Sequence, residues 1–291
     1  MELIYLLQTS VPALVATSAV VGLLVGSFLN VVILRLPVML MQRWRRDCRE
    51  LAGMAGEADA GGEELNLVTP RSRCPHCGHQ ISALENIPVL SYLWLRGKCT
   101  ACRKPIGLRY PAIELLSGAL TGFVAWHFGF TLAGLAAALL TWALIALAFI
   151  DIDHQLLPDD IVLPFLWIGL LVNLAGTFAN LANAVIGAVA GYLSLWLVFH
   201  AFRLLTGKEG MGYGDFKLFA LFGAWLGWQS LPLIILLSSL VGAIVGIALI
   251  VFQGRDRAQP LPFGPYLAAA GWIALLWGND LIRHYLQFAR L

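Results

Sequence analysis

Charge is what this sequence has least of. Asp, Glu, Lys and Arg together make up 12% of its 291 residues, against roughly 25% in an ordinary soluble domain. With 59% hydrophobic residues and a mean hydropathy of +0.78, that shortage excludes a disordered chain and argues against a water-soluble globule. Net charge is small as well, +2 at neutral pH, too little to point to a nucleic-acid partner. The 29 Gly and 13 Pro keep no fixed period, which excludes a collagen-like repeat. No Lys or Arg precedes Arg35, whereas an ordinary secretory signal starts with basic residues. What remains is an all-α polytopic membrane protein, in which the few polar residues carry the information.

A spanning helix needs about 20 mostly apolar residues. Eight charge-poor stretches are candidates: residues 11–34, 110–128, 131–150, 161–178, 182–202, 216–228, 231–252 and 262–278. The stretch 216–228 is short, so the expectation for it is a helix that is tilted, kinked or partly buried in the bundle. Twelve of the nineteen Lys and Arg lie between Arg35 and Arg109, and the positive-inside rule places that loop in the cytoplasm. Threading eight spans from there puts seventeen of the nineteen basic residues on the cytoplasmic side and leaves Arg283 and Arg290 outside. The predicted organisation is a first transmembrane segment (1–34), a cytoplasmic loop (35–109) and a transmembrane core (110–291).

The loop is the only sizeable hydrophilic region. Its first half, small, acidic and Gly-rich through Glu64, reads as flexible linker. Its second half, about residues 70–105, holds Cys74-Pro-His-Cys77 and Cys99-Thr-Ala-Cys102 with 21 residues between. Two CxxC pairs at this spacing match a zinc ribbon, in which two turns offer four thiolates to a tetrahedral ion. Gly78 and Gly97 flank the pairs, where tight turns favour glycine. A reducing cytoplasmic face disfavours two disulfides, and no βαβ pattern supports a redox pair. A four-sulfur shell has no open position, so the zinc is assigned to folding. His76 and His79 then read as surface residues and Cys48 as an ordinary thiol.

Two acids stand out at one predicted membrane face. Asp151 ends the third span in Asp151-Ile-Asp153, and Asp215 begins the sixth in Gly212-Tyr-Gly214-Asp215. Two carboxyl groups held together in a low-dielectric setting share one proton, so one accepts a proton from water while the other donates to a carbonyl oxygen. Plainer readings exist for each. Asp151 is explained as an interfacial residue, and Asp215 as a cap on the sixth helix. Asp159 and Asp160 read as an N-cap for the fourth span, Asp153 as a solvated or orienting group, and Lys217 as a neighbour of Asp215 or a snorkelling cation. Glu114 either pairs with a basic residue of the insert or lines the site. Pro260, Pro262 and Pro265 start the last helix or shape the site, while His127 and His200 read as interfacial anchors.

Taken together, the chain resembles the type IV prepilin leader peptidases. The resemblance runs through Gly26-Ser-Phe-Leu-Asn-Val-Val-Ile-Leu-Arg-Leu-Pro37, both CxxC pairs with Ile-Pro-Val-Leu-Ser-Tyr-Leu between them, and Arg109-Tyr-Pro-Ala-Ile-Glu-Leu-Leu116. It continues in Asp151-Ile-Asp-His-Gln-Leu-Leu-Pro-Asp159, Gly212-Tyr-Gly-Asp215 and Pro262-Phe-Gly-Pro265. It implies a bacterial inner-membrane aspartic protease, its site facing the cytoplasm, that removes the basic leader of prepilins and pseudopilins, with Asp151 and Asp215 as the catalytic pair. It also implies N-methylation of the new terminal residue with S-adenosylmethionine. The residues themselves do not reveal the methyl-donor site, because no Gly-rich nucleotide loop follows a strand; Gly97 and Lys98 are candidate contacts. Glu57, Asp59, Glu63 and Glu64 attract the basic leader or are simply a solvated run. The competing class is a proton-coupled transporter using Asp151 and Asp215 as a relay, or else a scaffold whose insert binds partners. No internal repeat favours the transporter, and both acids sit at a boundary rather than midway.

Overall fold

A computed structural model describes residues 2–53, 65–208, 210–253 and 261–289. These residues form helices, with no strand among them beyond two isolated bridges. The chain divides into two compact units, Met1–Gly129 and Phe130–Leu291.

In the first unit, α1 (Glu2–Thr9) leads into α2 (Val11–Leu51), capped by Ser10, whose Oγ accepts from the Ala13 N–H. At 41 residues, α2 is about 60 Å long, twice the hydrocarbon thickness of a bilayer. It therefore runs well past residue 34, and the expected flexible linker is helical as far as Leu51. The sequence permits this because the residues beyond Pro37 are good helix formers: Leu, Met, Gln, Arg and Glu. The acids at 57, 59, 63 and 64 lie outside the described residues. The short α3 (Leu90–Trp94) belongs to the cysteine-rich insert, and α4 (Arg109–Phe128) packs along α2. Their seam is built from Gly22 and Gly26 on one helix against Gly118 and Gly122 on the other. A Cβ at Gly26 would stand 2.8 Å from the Glu114 Cα, and one at Gly22 would stand 2.7 Å from the Ser117 carbonyl oxygen. Paired small residues let helix backbones touch where lipid offers no hydrophobic drive to association.

The second unit contains α5 (Leu132–His154), α6 (Asp159–Val172), α7 (Leu181–Thr206), α8 (Tyr213–Leu226), α9 (Leu231–Gln253) and α10 (Gly264–Ala289). Its starts are marked in the sequence: Thr131 Oγ1 accepts from the Gly134 N–H and Asn180 Oδ1 from the Asn183 N–H. The centre is α8, of which Asp215, Phe216 and every residue from Leu218 to Trp225 are buried. The α7–α8 crossing is again a glycine contact. A Cβ on Gly223 would lie 2.0 Å from the Gly187 carbonyl oxygen, and one on Gly191 would lie 2.7 Å from that of Phe219. Gly169 of α6 makes room for Trp225, whose Nε1–H donates to the Phe165 carbonyl at 2.7 Å. Asn173 closes the end of α8. Its amide donates to the Ala224 and Trp225 carbonyls, and its Oδ1 accepts from the N–H groups of Phe178 and Ala179.

Among the described residues, four helices are long and apolar enough to cross a membrane: Val11–Leu51, Leu132–His154, Leu181–Thr206 and Trp228–Phe252. The predicted spans 161–178 and 216–228 become helices of 14 residues each, about 21 Å long. The 3₁₀ turn Asn173–Ala175 and the left-handed Gly176 stop α6 short. The burial of α8 bears out the expectation of a short piece held inside the bundle.

Candidate active site and metal centre

Asp151 lies near the end of α5 and is 6% exposed. Its Oδ2 accepts the Gly264 N–H at 2.9 Å, the first amide of α10, so the positive end of that helix faces the carboxylate. Glycine at 264 lets the carboxylate come this close, because a Cβ would stand 2.6 Å from the same oxygen. Asp215, 7% exposed, sits in the first turn of α8. Its Oδ2 accepts the Gly212 N–H at 3.2 Å, while its own N–H donates to the Gly212 carbonyl. Asp215 thus also closes the start of α8, the plainer role read from the sequence.

The two acids, 64 positions apart in the sequence, lie within electrostatic reach of one another. Leu157 forms the wall they share. A Cβ on Gly214 would meet the Leu157 Cβ at 2.8 Å, and one on Gly264 would meet its Cδ2 at 3.2 Å. Beside Asp215, the rings of Phe199, Tyr213 and Phe216 pack against each other at centroid distances of 5.1 to 5.5 Å. Two carboxyl groups, each held by one backbone N–H in apolar surroundings, form a pair suited to hold and pass a proton.

The neighbouring acids take other roles. Asp159 does not cap α6, since the N-cap residue is Pro158. Instead both its oxygens receive Lys217 Nζ at 2.7 Å, an ion pair that draws this cation to Asp159. Asp153 and Asp160 are exposed. The Pro262-Phe-Gly-Pro265 turn both starts α10 and supplies the Asp151 contact. His200 Nδ1 stands 3.0 Å from the Trp196 carbonyl, and His127 lies among Phe123 and Phe128.

In the insert, the four predicted ligands converge. The sulfurs of Cys74, Cys77, Cys99 and Cys102 all lie within 4.8 Å of one another, with Cys74–Cys102 at 3.9 Å and Cys77–Cys99 at 4.0 Å. A tetrahedral zinc with bonds of about 2.3 Å sets its sulfurs about 3.8 Å apart, so the set fits that ion. The two turns repeat each other 25 positions apart. Cys74 N–H donates to the His79 carbonyl and Ile81 N–H to Ser72; Cys99 N–H donates to Lys104 and Ile106 N–H to Gly97. Bridges Arg73–Gln80 and Lys98–Pro105 occupy matching positions. Backbone N–H groups of His76 and Cys77 lower the Cys74 thiol to about 7, and those of Cys102 and Ala101 lower Cys99. Each turn thus shifts its first cysteine toward the thiolate. Gly78 (φ +74°) provides the left-handed residue of the first turn, but Arg103 (φ +55°) does so in the second. Gly97, at φ +66°, is left-handed too, as a tight turn there requires, and it also makes room for Tyr92, whose hydroxyl would lie 2.7 Å from a Cβ there.

Glu85 joins the two turns. It accepts from the Thr100 hydroxyl and the Ser82 N–H, and its carboxylate meets His79 Nε2 at 3.2 Å. The Thr100 hydroxyl and the Ser82 N–H hold its carboxyl at about 2, well below the ordinary range. Glu114, left open by the sequence, meets no basic residue of the insert: its Oε2 accepts the Val89 N–H at 2.8 Å. Val89 sits at φ +60°, a strained conformation for a β-branched residue, and Glu114 holds it there.

Helix bundle, Gly-x-Gly-Asp helix start and four-cysteine turns together define a class, the GxGD-type membrane proteins with a four-cysteine insert. Residues 20–128 match the family described as Bacterial Peptidase A24 N-terminal domain, and residues 138–247 match the Type IV leader peptidase family. The chain belongs to the type IV leader peptidase family. Among its curated relatives is the Prepilin leader peptidase/N-methyltransferase of Stutzerimonas stutzeri, 58% identical over 96% of both chains. The proteins of the same name from Pseudomonas aeruginosa (58% over 95% of each) and Aeromonas hydrophila (59% over 91% of each) are similar in extent. No solved structure matches. Nothing in these comparisons supports a transporter.

Proposed function

We propose that this protein is a bifunctional enzyme that cleaves the basic leader from prepilins and pseudopilins and then N-methylates the new terminal residue with S-adenosylmethionine. It is a multi-pass protein of the bacterial inner membrane, its active site facing the cytoplasm, and it crosses eight times. In that topology α4, α6, α8 and α10 complete the four more apolar spans, and the domains follow the divisions 1–34, 35–109 and 110–291. Asp151 and Asp215 are the catalytic pair. A substrate's apolar segment enters from the lipid, which holds its cleavage site at the interface. One carboxylate takes a proton from the attacking water, and the other, protonated, donates to the scissile carbonyl oxygen, without a covalent intermediate. Gly264 and Gly212 keep each carboxyl aimed through a backbone N–H.

Cys74, Cys77, Cys99 and Cys102 would hold zinc, which would supply a cross-link between the two turns. What supports this reading is that two buried aspartates lie within electrostatic reach of one another in a chain that is 58% identical to prepilin leader peptidases over nearly its whole length. The test is purified protein in detergent mixed with a prepilin and read by mass. Loss of the leader mass, followed by an S-adenosylmethionine-dependent gain of one methyl, is the expected result. Asp151→Ala and Asp215→Ala variants should each abolish the first step, and normal cleavage by either removes that residue from the pair.

A further inference from the structure

The methyl-transfer half of this activity has no site so far, and the first unit contains a cavity with the right chemistry for one. It encloses about 420 Å³ between α2, α4 and the cysteine-rich insert, within the range of about 300 to 1,000 Å³ typical of small-molecule pockets. Among its polar walls are Arg35 from α2, Tyr110 and Glu114 from α4, and Arg73, Glu85, Tyr92 and Lys104 from the insert. Two carboxylates, two guanidiniums, an ammonium and two phenols therefore face one space.

Glu114 is the informative member. It is 9% exposed, it receives a backbone N–H from Val89, and among the described residues no cation stands within ion-pair distance of it. A carboxylate buried without a counter-ion is costly, and a cationic ligand removes that cost. Arg35 offers the opposite charge in the same cavity, its Nη1 already fixed by donation to the Asn66 carbonyl at 2.9 Å. A ligand suited to both carries a carboxylate and a positive centre on one small frame. An acyl chain needs neither group, and a simple anion would leave Glu114 without a counter-ion.

We propose that this cavity is the methyl-donor pocket, binding S-adenosylmethionine with Arg35 on its carboxylate and Glu114 facing its sulfonium end. The assignment rests on the methyltransferase reading above. Guanidinium forks match carboxylates in a bidentate way, and the Tyr92 and Tyr110 rings offer faces that favour both a cation and a flat base. In the transfer, the lone pair of the pilin's terminal amine bonds the methyl carbon, the sulfur–methyl bond breaks to leave a neutral thioether, and the new ammonium releases a proton to water.

The experiment uses full-length, zinc-loaded protein in detergent, with S-adenosylmethionine and S-adenosylhomocysteine titrated by calorimetry. Arg35→Ala should weaken both ligands at least about tenfold, the loss of one charge-assisted contact. Glu114→Gln should weaken the sulfonium ligand more than its neutral analogue, by about tenfold, a difference that a purely structural role in holding Val89 would not produce. Equal, wild-type affinities in both variants overturn the assignment. Should a variant lose its zinc or its thermal transition, photolabelling of the wild-type protein with radiolabelled S-adenosylmethionine decides. Label within residues 27–35 or 85–114 supports the pocket, and label elsewhere refutes it. If the wild-type protein neither binds the donor nor methylates a processed prepilin, the methyltransferase reading fails; if it methylates but the label maps elsewhere, only this location fails.

Discussion

One added methyl group at Gly264 tests how Asp151 is aimed. In Gly264→Ala, the new carbon would stand 2.6 Å from Asp151 Oδ2 and 3.2 Å from Leu157 Cδ2, well inside the usual separation of about 3.5 Å. The carboxylate is the part free to give, so it moves off by up to about 1 Å and its 2.9 Å contact with the Gly264 N–H weakens. A hydrogen bond to a charged group contributes about 1.5–3 kcal/mol, which is roughly 10- to 150-fold in rate. A 1 Å misplacement at a catalytic group costs on the order of 100-fold by itself. These routes describe one displacement, so the expected fall in kcat for leader removal is about 10- to 100-fold. Stability should hold or rise, because alanine favours a helix over glycine by up to about 1 kcal/mol. Initial rates on a purified prepilin, paired with a thermal transition in the same detergent, make the measurement. A variant that cleaves within about twofold of the wild type would refute the claim that this amide sets the carboxylate's position.

Other outcomes follow from contacts elsewhere. Cys74→Ser should lower bound zinc below one equivalent and loosen the insert to limited proteolysis; unchanged metal content would count against the four-sulfur ligand set. Gly223→Ala places a carbon 2.0 Å from the Gly187 carbonyl oxygen, backbone against backbone, so α7 and α8 must separate; the yield of folded protein should collapse, and normal yield and melting would contradict that crossing. Lys217→Ala breaks a partly exposed ion pair with Asp159, typically worth less than about 1 kcal/mol. Its cleavage rate should stay within about threefold of wild type, whereas a large loss would mean that Lys217 acts on Asp215.

The candidate site was legible because it rests on residues that are expensive where they stand. Asp151 and Asp215 end and begin apolar stretches, and the CxxC pairs repeat at a spacing few other functions need. What stayed hidden depends on long-range partners or on backbone. The Gly264 amide reaches Asp151 across 113 positions, and the proline-flanked turn around it signals only a helix start. Asp159 read as a cap because Lys217, 58 positions away, cannot be paired with it from order alone. The length of α2 was missed for a different reason. Apolar character ends near Leu34, but helix propensity does not, and the arginines from Arg43 onward continue the helix outside the apolar run. One signal was present and passed over: Gly22/Gly26, Gly118/Gly122 and Gly187/Gly191 each have the small-xxx-small spacing of a close helix seam.

The unbroken course of α2 makes it a lever. With roughly half of its length of about 60 Å needed to cross the hydrocarbon, a change of 10° in its tilt would swing the far end by about 10 Å. Bilayer thickness sets such tilts at modest cost. Any such change in tilt would therefore be largest in its effect at the Leu51 end of the helix.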